Sequence, residues 1–322
     1  MDPLKNVFME MQKIASEGLR KYYPSCGICL GNFENFYVDY MECEFGSFFD
    51  VASITKPIVG SNLILKLGIL EDRISSVLNK PRFDSTSKSN IKVLDILRHK
   101  ACFPSHFPLF SIVEHIGYPS VETRKIIMEE AWNLPLEKKS EYSDIGFIVL
   151  TYYLEKMSGV RVDILFKQNF SFNGLFYLTE SDDKINIVPT YYTRRVHDEN
   201  AYYMLSVSLH AGLFCNLEGL AEAMRYIIQS YRELFLKEGI NEIKKGERFY
   251  LGFDSFIWNQ KILFGHLGFT GCGFWIDFSR ELYCAFLSNR VFPSVGRIPV
   301  PAPEGFMNIR KSIWHMLCDK SC

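Results

Sequence analysis

Between Phe48 and Gly60 the chain passes from an extended apolar stretch into an apolar helix, and the polar groups at the changeover are Ser53, Thr55 and Lys56 (Phe48-Phe49-Asp50-Val51-Ala52-Ser53-Ile54-Thr55-Lys56-Pro57-Ile58-Val59-Gly60). Residues at i and i+3 share one face of a helix, so Lys56 falls within hydrogen-bonding reach of Ser53. Proline is tolerated only in the first turn, so Pro57 predicts a helix that opens close to Lys56. Ser53 then sits at the positive mouth of that helix, where a developing oxyanion is stabilised. A serine hydroxyl becomes a nucleophile when a neighbouring base takes its proton, and a lysine serves as that base if desolvation and nearby charge lower its pKa.

Spacing alone does not single out this pair. Ser-x-x-Lys also occurs at Ser85/Lys88, Ser89/Lys92 and Ser181/Lys184, all in polar, turn-rich segments. Those three read as solvated loops and caps, because no buried helix opens at the serine. Ser53 alone has an apolar run before it and an apolar helix, Ile58 to Leu70, after it.

With 322 residues, 48% of them hydrophobic and 23% charged, the chain has ample material for a core and no compositional mark of disorder. A net charge of −1, with no basic stripe, argues against nucleic acid as a partner. No apolar run approaches the ~18 residues of a membrane span, and Met1-Asp2-Pro3-Leu4-Lys5 lacks the features of a secretory leader. Nine scattered cysteines fit reduced thiols and a cytoplasmic protein. Cys26-Gly-Ile-Cys29 has redox spacing but lies in a strand-like run, so packed thiols are the reading and no metal or other cofactor is expected.

Helical periodicity covers Leu4 to Tyr23, then strand-like runs follow at Cys26 to Gly31 and Asn35 to Tyr40. A short helix is expected over Val93 to His99, another over 144–157 with Ser143 or Asp144 as cap and Gly159 at its end, and a long amphipathic one over Leu217 to Leu236. Four aromatic and β-branched runs between Phe249 and Ser288 predict an antiparallel meander, closed by a helix over Phe306 to Leu317. The expectation is an α/β (α+β) fold: an antiparallel sheet with N- and C-terminal helices from 1–70 and 247–322, a mainly helical insert over 71–246, and a site where they meet.

Two further segments carry chemistry. In Glu141-Tyr142-Ser143-Asp144 a tyrosine precedes a helix, and a phenol beside a lysine can shuttle protons to and from a serine. In Phe264-Gly265-His266-Leu267-Gly268-Phe269-Thr270-Gly271-Cys272-Gly273, four glycines around a strand allow close approach of a ligand or another backbone. In this order, Ser53-Ile54-Thr55-Lys56, Tyr142-Ser143-Asp144 and His266-Leu267-Gly268 resemble the three motifs of the serine β-lactamase/penicillin-binding superfamily, specifically its class C β-lactamase-like hydrolases and esterases. Ile96-Leu97-Arg98-His99, His210-Ala211-Gly212-Leu213-Phe214 and Ser288-Asn289-Arg290-Val291-Phe292-Pro293 extend the likeness along the chain.

The resemblance implies a β-lactamase-like fold, an acyl-enzyme at Ser53, Lys56 with Tyr142 in proton transfer, and an oxyanion hole from the N–H groups of Ser53 and Phe269. His266, Gly268 and Asp144 would face the substrate. Three departures bear on what that substrate is. Asp144 replaces an amide; its carboxylate would hold Lys56 protonated and cannot donate to a carbonyl. His266 replaces a fixed cation, which weakens recognition of a substrate carboxylate. Lys100-Ala101-Cys102 stands where the family more often has a small Thr-Ser-Gly turn. The expectation is a serine hydrolase of small esters or amides, with a D-amino-acid-specific peptidase, carboxypeptidase or β-lactamase, or a weakly catalytic binding protein, as alternatives. Oligomeric state is not legible.

Overall fold

The computed structural model describes residues 2–179, 185–292 and 302–319. The Ser181/Lys184 pair, Pro293 and Cys322 lie outside them. Ten strands are present among the described residues: β1 Cys26–Gly31, β2 Phe36–Met41, β3 Phe49–Asp50, β4 Leu175–Tyr177, β5 Leu213–Cys215, β6 Phe249–Tyr250, β7 Phe253–Trp258, β8 Lys261–Leu267, β9 Gly273–Asp277 and β10 Leu282–Ser288.

Seven of them form one antiparallel sheet in the order β2-β1-β10-β9-β8-β7-β6. The hairpin near the N-terminus is joined to the C-terminal meander through β1 and β10, with Cys26 opposite Ser288 and Gly31 opposite Tyr283. β1 is buried throughout because the sheet is covered on both faces. Cys26, Ile28 and Leu30 face the helices Pro3–Ser16 and Glu304–Asp319, packing with Phe8, Met11, Phe306 and Trp314. Cys29 on the opposite face joins the larger core with Leu220, Met224 and Ile227 of the helix Leu217–Leu234. Gly27 lets that helix close on the sheet: a Cβ there would meet Leu217 at 2.8 Å.

A second sheet, β3-β5-β4, ties the two residues just upstream of the Ser53 turn to a strand far along the chain, with Asp50 opposite Phe214. Strands β4 and β5 fall inside the stretch read from sequence as mainly helical. Three residues each are too few to show a period.

The first helix ends at Ser16 rather than near Tyr23. Here the chain reverses: Tyr22 N–H bonds to the Gly18 carbonyl at 2.9 Å, and the Tyr23 hydroxyl donates to the Ala15 carbonyl at the helix end. The helix after Ser53 also differs from expectation. A 3-10 turn at Ala52–Ile54 leads into π-type spacing over Lys56–Ser61, then α-helix over Asn62–Leu67, stopped at Gly68 with φ of 69°.

A clear correction concerns Ser85/Lys88. This segment is a short helix, and Lys88 is fully buried rather than solvated. Its ammonium donates to the carbonyls of Trp132 (2.7 Å) and Leu134, which close the helix Val121–Asn133. Polar neighbours in sequence concealed a lysine whose partners lie more than 40 residues away. Lys92 does remain at the surface, paired with Glu71 at 2.7 Å.

The cysteines of the described residues are all unbridged, and burial raises the thiol pKa values of Cys26 and Cys29. No helix among the described residues is long and apolar enough to cross a membrane.

Candidate active site

The turn that carries Ser53 is built by its neighbours. Ala52 adopts φ of 47°, a left-handed conformation that costs on the order of 1 kcal/mol for a residue with a Cβ. What holds it is the Asp50 carboxylate, which accepts from Ala52 N–H at 2.9 Å and, across the chain, from His197 N–H at 2.7 Å. Thr55 adds a second tie: its hydroxyl donates to the Ala52 carbonyl at 2.6 Å and accepts from Leu213 N–H at 3.2 Å. The serine is thereby presented on a bend that local sequence preference would not choose.

Lys56 is wholly buried, with its ammonium 2.9 Å from Ser53 Oγ, 2.6 Å from Asp144 Oδ1 and 3.2 Å from the His210 carbonyl. Tyr142 lies against it, the ammonium 4.9 Å from the ring centroid. Ser143 caps the helix Asp144–Ser158, accepting from Gly146 N–H at 3.0 Å, and so fixes where Tyr142 and Asp144 stand. Burial alone would lower the Lys56 pKa, but the Asp144 carboxylate outweighs it and holds the ammonium above its ordinary range. Asp144, although burial would raise it, is held well below the usual carboxylate range by Lys56 and by His106. Burial pushes the Tyr142 phenol up to about 12 against the opposing pull of Lys56. At neutral pH the resting site therefore holds an ammonium, a carboxylate and a neutral phenol.

The third segment stands over the serine. β8 ends at Leu267, and Gly268 follows so close to the Ser53 turn that a Cβ there would lie 2.4 Å from the Val51 carbonyl oxygen. The turn is fastened from both sides. Gly268 N–H bonds to the Cys272 carbonyl at 2.8 Å, and Thr270 Oγ1 donates to the Asp50 carbonyl at 2.6 Å. Phe269, at the tip, is 43% exposed, stacks on His197 at 5.6 Å and lies 4.9 Å beneath the Arg290 guanidinium. His266 is buried; burial, then the Lys56 charge, push its pKa down to about 4, so it is neutral at physiological pH. Its Nδ1 lies 2.8 Å from the Leu267 carbonyl, which places the ring hydrogen on Nδ1.

All seven residues singled out from sequence thus occupy one neighbourhood: Ser53, Lys56, Tyr142 and Asp144 in contact, His266 beside Tyr142 with ring centroids 5.9 Å apart, and Gly268 and Phe269 above the turn. Others were not singled out. His106 approaches Asp144 Oδ2 at 3.9 Å from a loop with no signal of its own. His99 packs 4.6 Å from Tyr142 and accepts from Ser143 N–H at 3.0 Å, which engages its Nδ1 lone pair; its place in the Ile96-Leu97-Arg98-His99 likeness was its only trace. Behind Lys56 runs a buried polar chain: Asp198 to His210 Nε2 at 2.9 Å, His210 Nδ1 to Ser208 at 2.7 Å, and Ser208 to Thr151 at 3.2 Å. It fixes the segment ahead of β5 that offers the His210 carbonyl to the ammonium.

Comparison with known proteins agrees with this geometry. The family model described as Beta-lactamase matches residues 41–300. The chain belongs to the Beta-lactamase family. It is a β-lactamase-family serine hydrolase, on a fold shared with penicillin-binding-protein-like proteins. Among curated proteins it is 28% identical to an N-acetylmuramyl-L-alanine amidase of Bacillus subtilis (strain 168), over 81% of this chain and 71% of that one. It is 25% identical to a putative D-alanyl-D-alanine carboxypeptidase of Escherichia coli (strain K12), over 76% and 69%. Among solved structures, the octameric penicillin-binding protein homologue from Pyrococcus abyssi superposes with a TM-score of 0.67 at 16% identity, over 100% of this chain and 78% of that one. The D-amino acid amidase from Ochrobactrum anthropi SV3 superposes with a TM-score of 0.68 at 12% identity, over 98% and 99%. These likenesses in structure are likenesses of fold.

Proposed function

We propose that this protein cleaves small esters or amides through an acyl-enzyme on Ser53. The observation that carries the reading is the buried Lys56 ammonium, which touches the serine hydroxyl and a carboxylate at once. Ser53 attacks the carbonyl, Lys56 and Tyr142 manage its proton, and the N–H groups of Ser53 and Phe269 receive the oxyanion. The close passage of Gly268 over Val51 supports that last assignment, because it brings the Phe269 backbone to the serine turn. The site would lie at the seam between the sheet-bearing part, 1–70 and 247–322, and the mainly helical part, 71–246.

Electrostatics narrows the substrate. A neutral His266 and an anionic Asp144 offer no cation to a substrate carboxylate beside the scissile bond. A neutral ester or amide fits better than a penicillin or a peptide with a free C-terminus there. A second reading, amide hydrolysis of D-amino acid derivatives, is favoured by the putative D-alanyl-D-alanine carboxypeptidases among the relatives and the D-amino acid amidase among the structural neighbours.

The test is intact mass after treatment with a fluorophosphonate, with turnover of p-nitrophenyl butyrate, D- and L-amino acid amides and a D-alanyl-D-alanine dipeptide. One adduct and ester turnover in the wild type, both lost in Ser53→Ala, is the expected result. An inert, unlabelled wild type overturns the reading. Preference for D-amides over the ester selects the second one.

A further inference from the structure

Resting on the proposed Ser53 reading, we infer that Asp144 is the group that finally takes the Ser53 proton, received through Lys56. Lys56 already carries a full complement of hydrogens, because it is in contact with a carboxylate at 2.6 Å in a buried setting. It cannot accept another proton unless it gives one away.

Geometry and protonation close the alternatives. His210 turns its ring away, with Nε2 on Asp198 and Nδ1 on Ser208, and presents only its carbonyl to Lys56. His99 has its Nδ1 lone pair engaged by the Ser143 N–H. His266 carries its hydrogen on Nδ1, and its Nε2 is buried with no hydrogen-bond partner among the described residues. Tyr142 is a neutral phenol with a proton of its own to lose. His106 approaches the other carboxylate oxygen, Asp144 Oδ2, at 3.9 Å, whereas Lys56 holds Oδ1. The line Ser53 Oγ, Lys56 Nζ, Asp144 Oδ1, with steps of 2.9 and 2.6 Å, is the direct path.

The step balances. Ser53 Oγ bonds to the substrate carbonyl carbon, and the carbonyl π pair moves to its oxygen. The hydroxyl proton passes to Lys56 Nζ as one Nζ proton passes to Asp144 Oδ1. Lys56 remains an ammonium beside the new alkoxide-derived oxygen, and Asp144 becomes a neutral acid. When the tetrahedral species collapses, the leaving group departs with that proton, returned through Lys56. Water then gives its proton along the same line and releases the acyl group, and Ser53 recovers its hydrogen. The carboxylate that holds the lysine protonated is thereby its outlet.

Acylation is followed as the stopped-flow burst of p-nitrophenol from p-nitrophenyl acetate. The charged and titratable groups around Asp144 are Lys56, Tyr142, His99, His106, Asp198, His210 and His266. His106 is itself titratable, with its pKa raised by the Asp144 carboxylate beside it, so the profile is also taken in His106→Gln. Because the active form is ionised Asp144 with protonated Lys56, the wild-type burst rate should be level from about pH 5 to 9. A wild-type rate that climbs tenfold per pH unit through this range identifies a free-base Lys56 and overturns the inference. Asp144→Asn should slow the burst by about 10²-fold at pH 7 and leave a residual rate that rises with pH, while Asp144→Glu recovers part of the loss. A folded Asp144→Asn as fast as wild type also overturns it. If Asp144→Asn does not fold, the wild-type profile and Asp144→Glu decide. Loss of the burst in no variant, Ser53→Ala included, would instead sink the acyl-enzyme reading itself.

Discussion

Two lysines of this chain follow a serine at the same spacing, and both are fully buried, yet they do opposite things. Lys56 faces a carboxylate and a serine hydroxyl, and its ammonium is held above its ordinary pKa. Lys88 faces the carbonyls of Trp132 and Leu134 and the rings of Phe103 and Trp132; burial brings it down to about 8. Carbonyl dipoles and ring faces compensate a charge less than a full anion at contact distance does. The serines differ as well. Ser53 stands on a strained turn beneath a second strand end, whereas Ser85 begins a surface helix turn. Burial of a lysine is therefore no mark of reactivity; what it touches is.

That contrast is open to breakage, beginning with activity. Lys56→Met should reduce ester turnover by 10³-fold or more, since it removes both the contact to Ser53 and the outlet to Asp144, while Lys88→Met should leave the rate per folded molecule within about twofold. Steady-state kinetics on both variants checks this, and equal losses would erase the distinction. Gly268→Ala comes next, with a loss of about 10²-fold in kcat, because the new Cβ must displace either the Val51 carbonyl or the Phe269 backbone.

Stability gives the smaller effects. Lys88→Met should destabilise by about 2 kcal/mol near pH 7, leaving helix-end carbonyls without a donor, as read by urea unfolding. Its pH dependence has a definite sign. Lys88 has a lower pKa folded, about 8, than the ordinary 10.5, so between those values the unfolded chain binds more protons. The difference in unfolding free energy between wild type and Lys88→Met should therefore shift in favour of wild type as pH rises through that window, by at most about 3 kcal/mol. A flat difference would place the ammonium in a better-compensated setting. Ser85→Ala should change stability by no more than about 0.5 kcal/mol and activity not at all.

Much of this molecule is legible in its sequence. Cys26–Gly31 is a strand with the expected bounds, Ser143 caps the helix that Gly159 ends, and the meander and closing helix fall where alternation and amphipathic spacing place them. The same holds for the members of the site neighbourhood, because Ser53 and Lys56 are linked by helical spacing and the other two segments carry unusual local composition. Long-range partners were not legible. Nothing near Lys88 in sequence announces Trp132 and Leu134, nothing near Ala52 announces that His197 helps to hold its turn, and His106 reaches Asp144 from a featureless loop.

The longer helices and strands and the chemical repertoire follow from local properties: periodicity, capping residues and the identity of side chains. Charge states and roles follow from packing. Whether a buried lysine meets a carboxylate or a carbonyl depends on which distant segment packs against it, and at distances below 3 Å inside a low-dielectric core that choice outweighs every local preference.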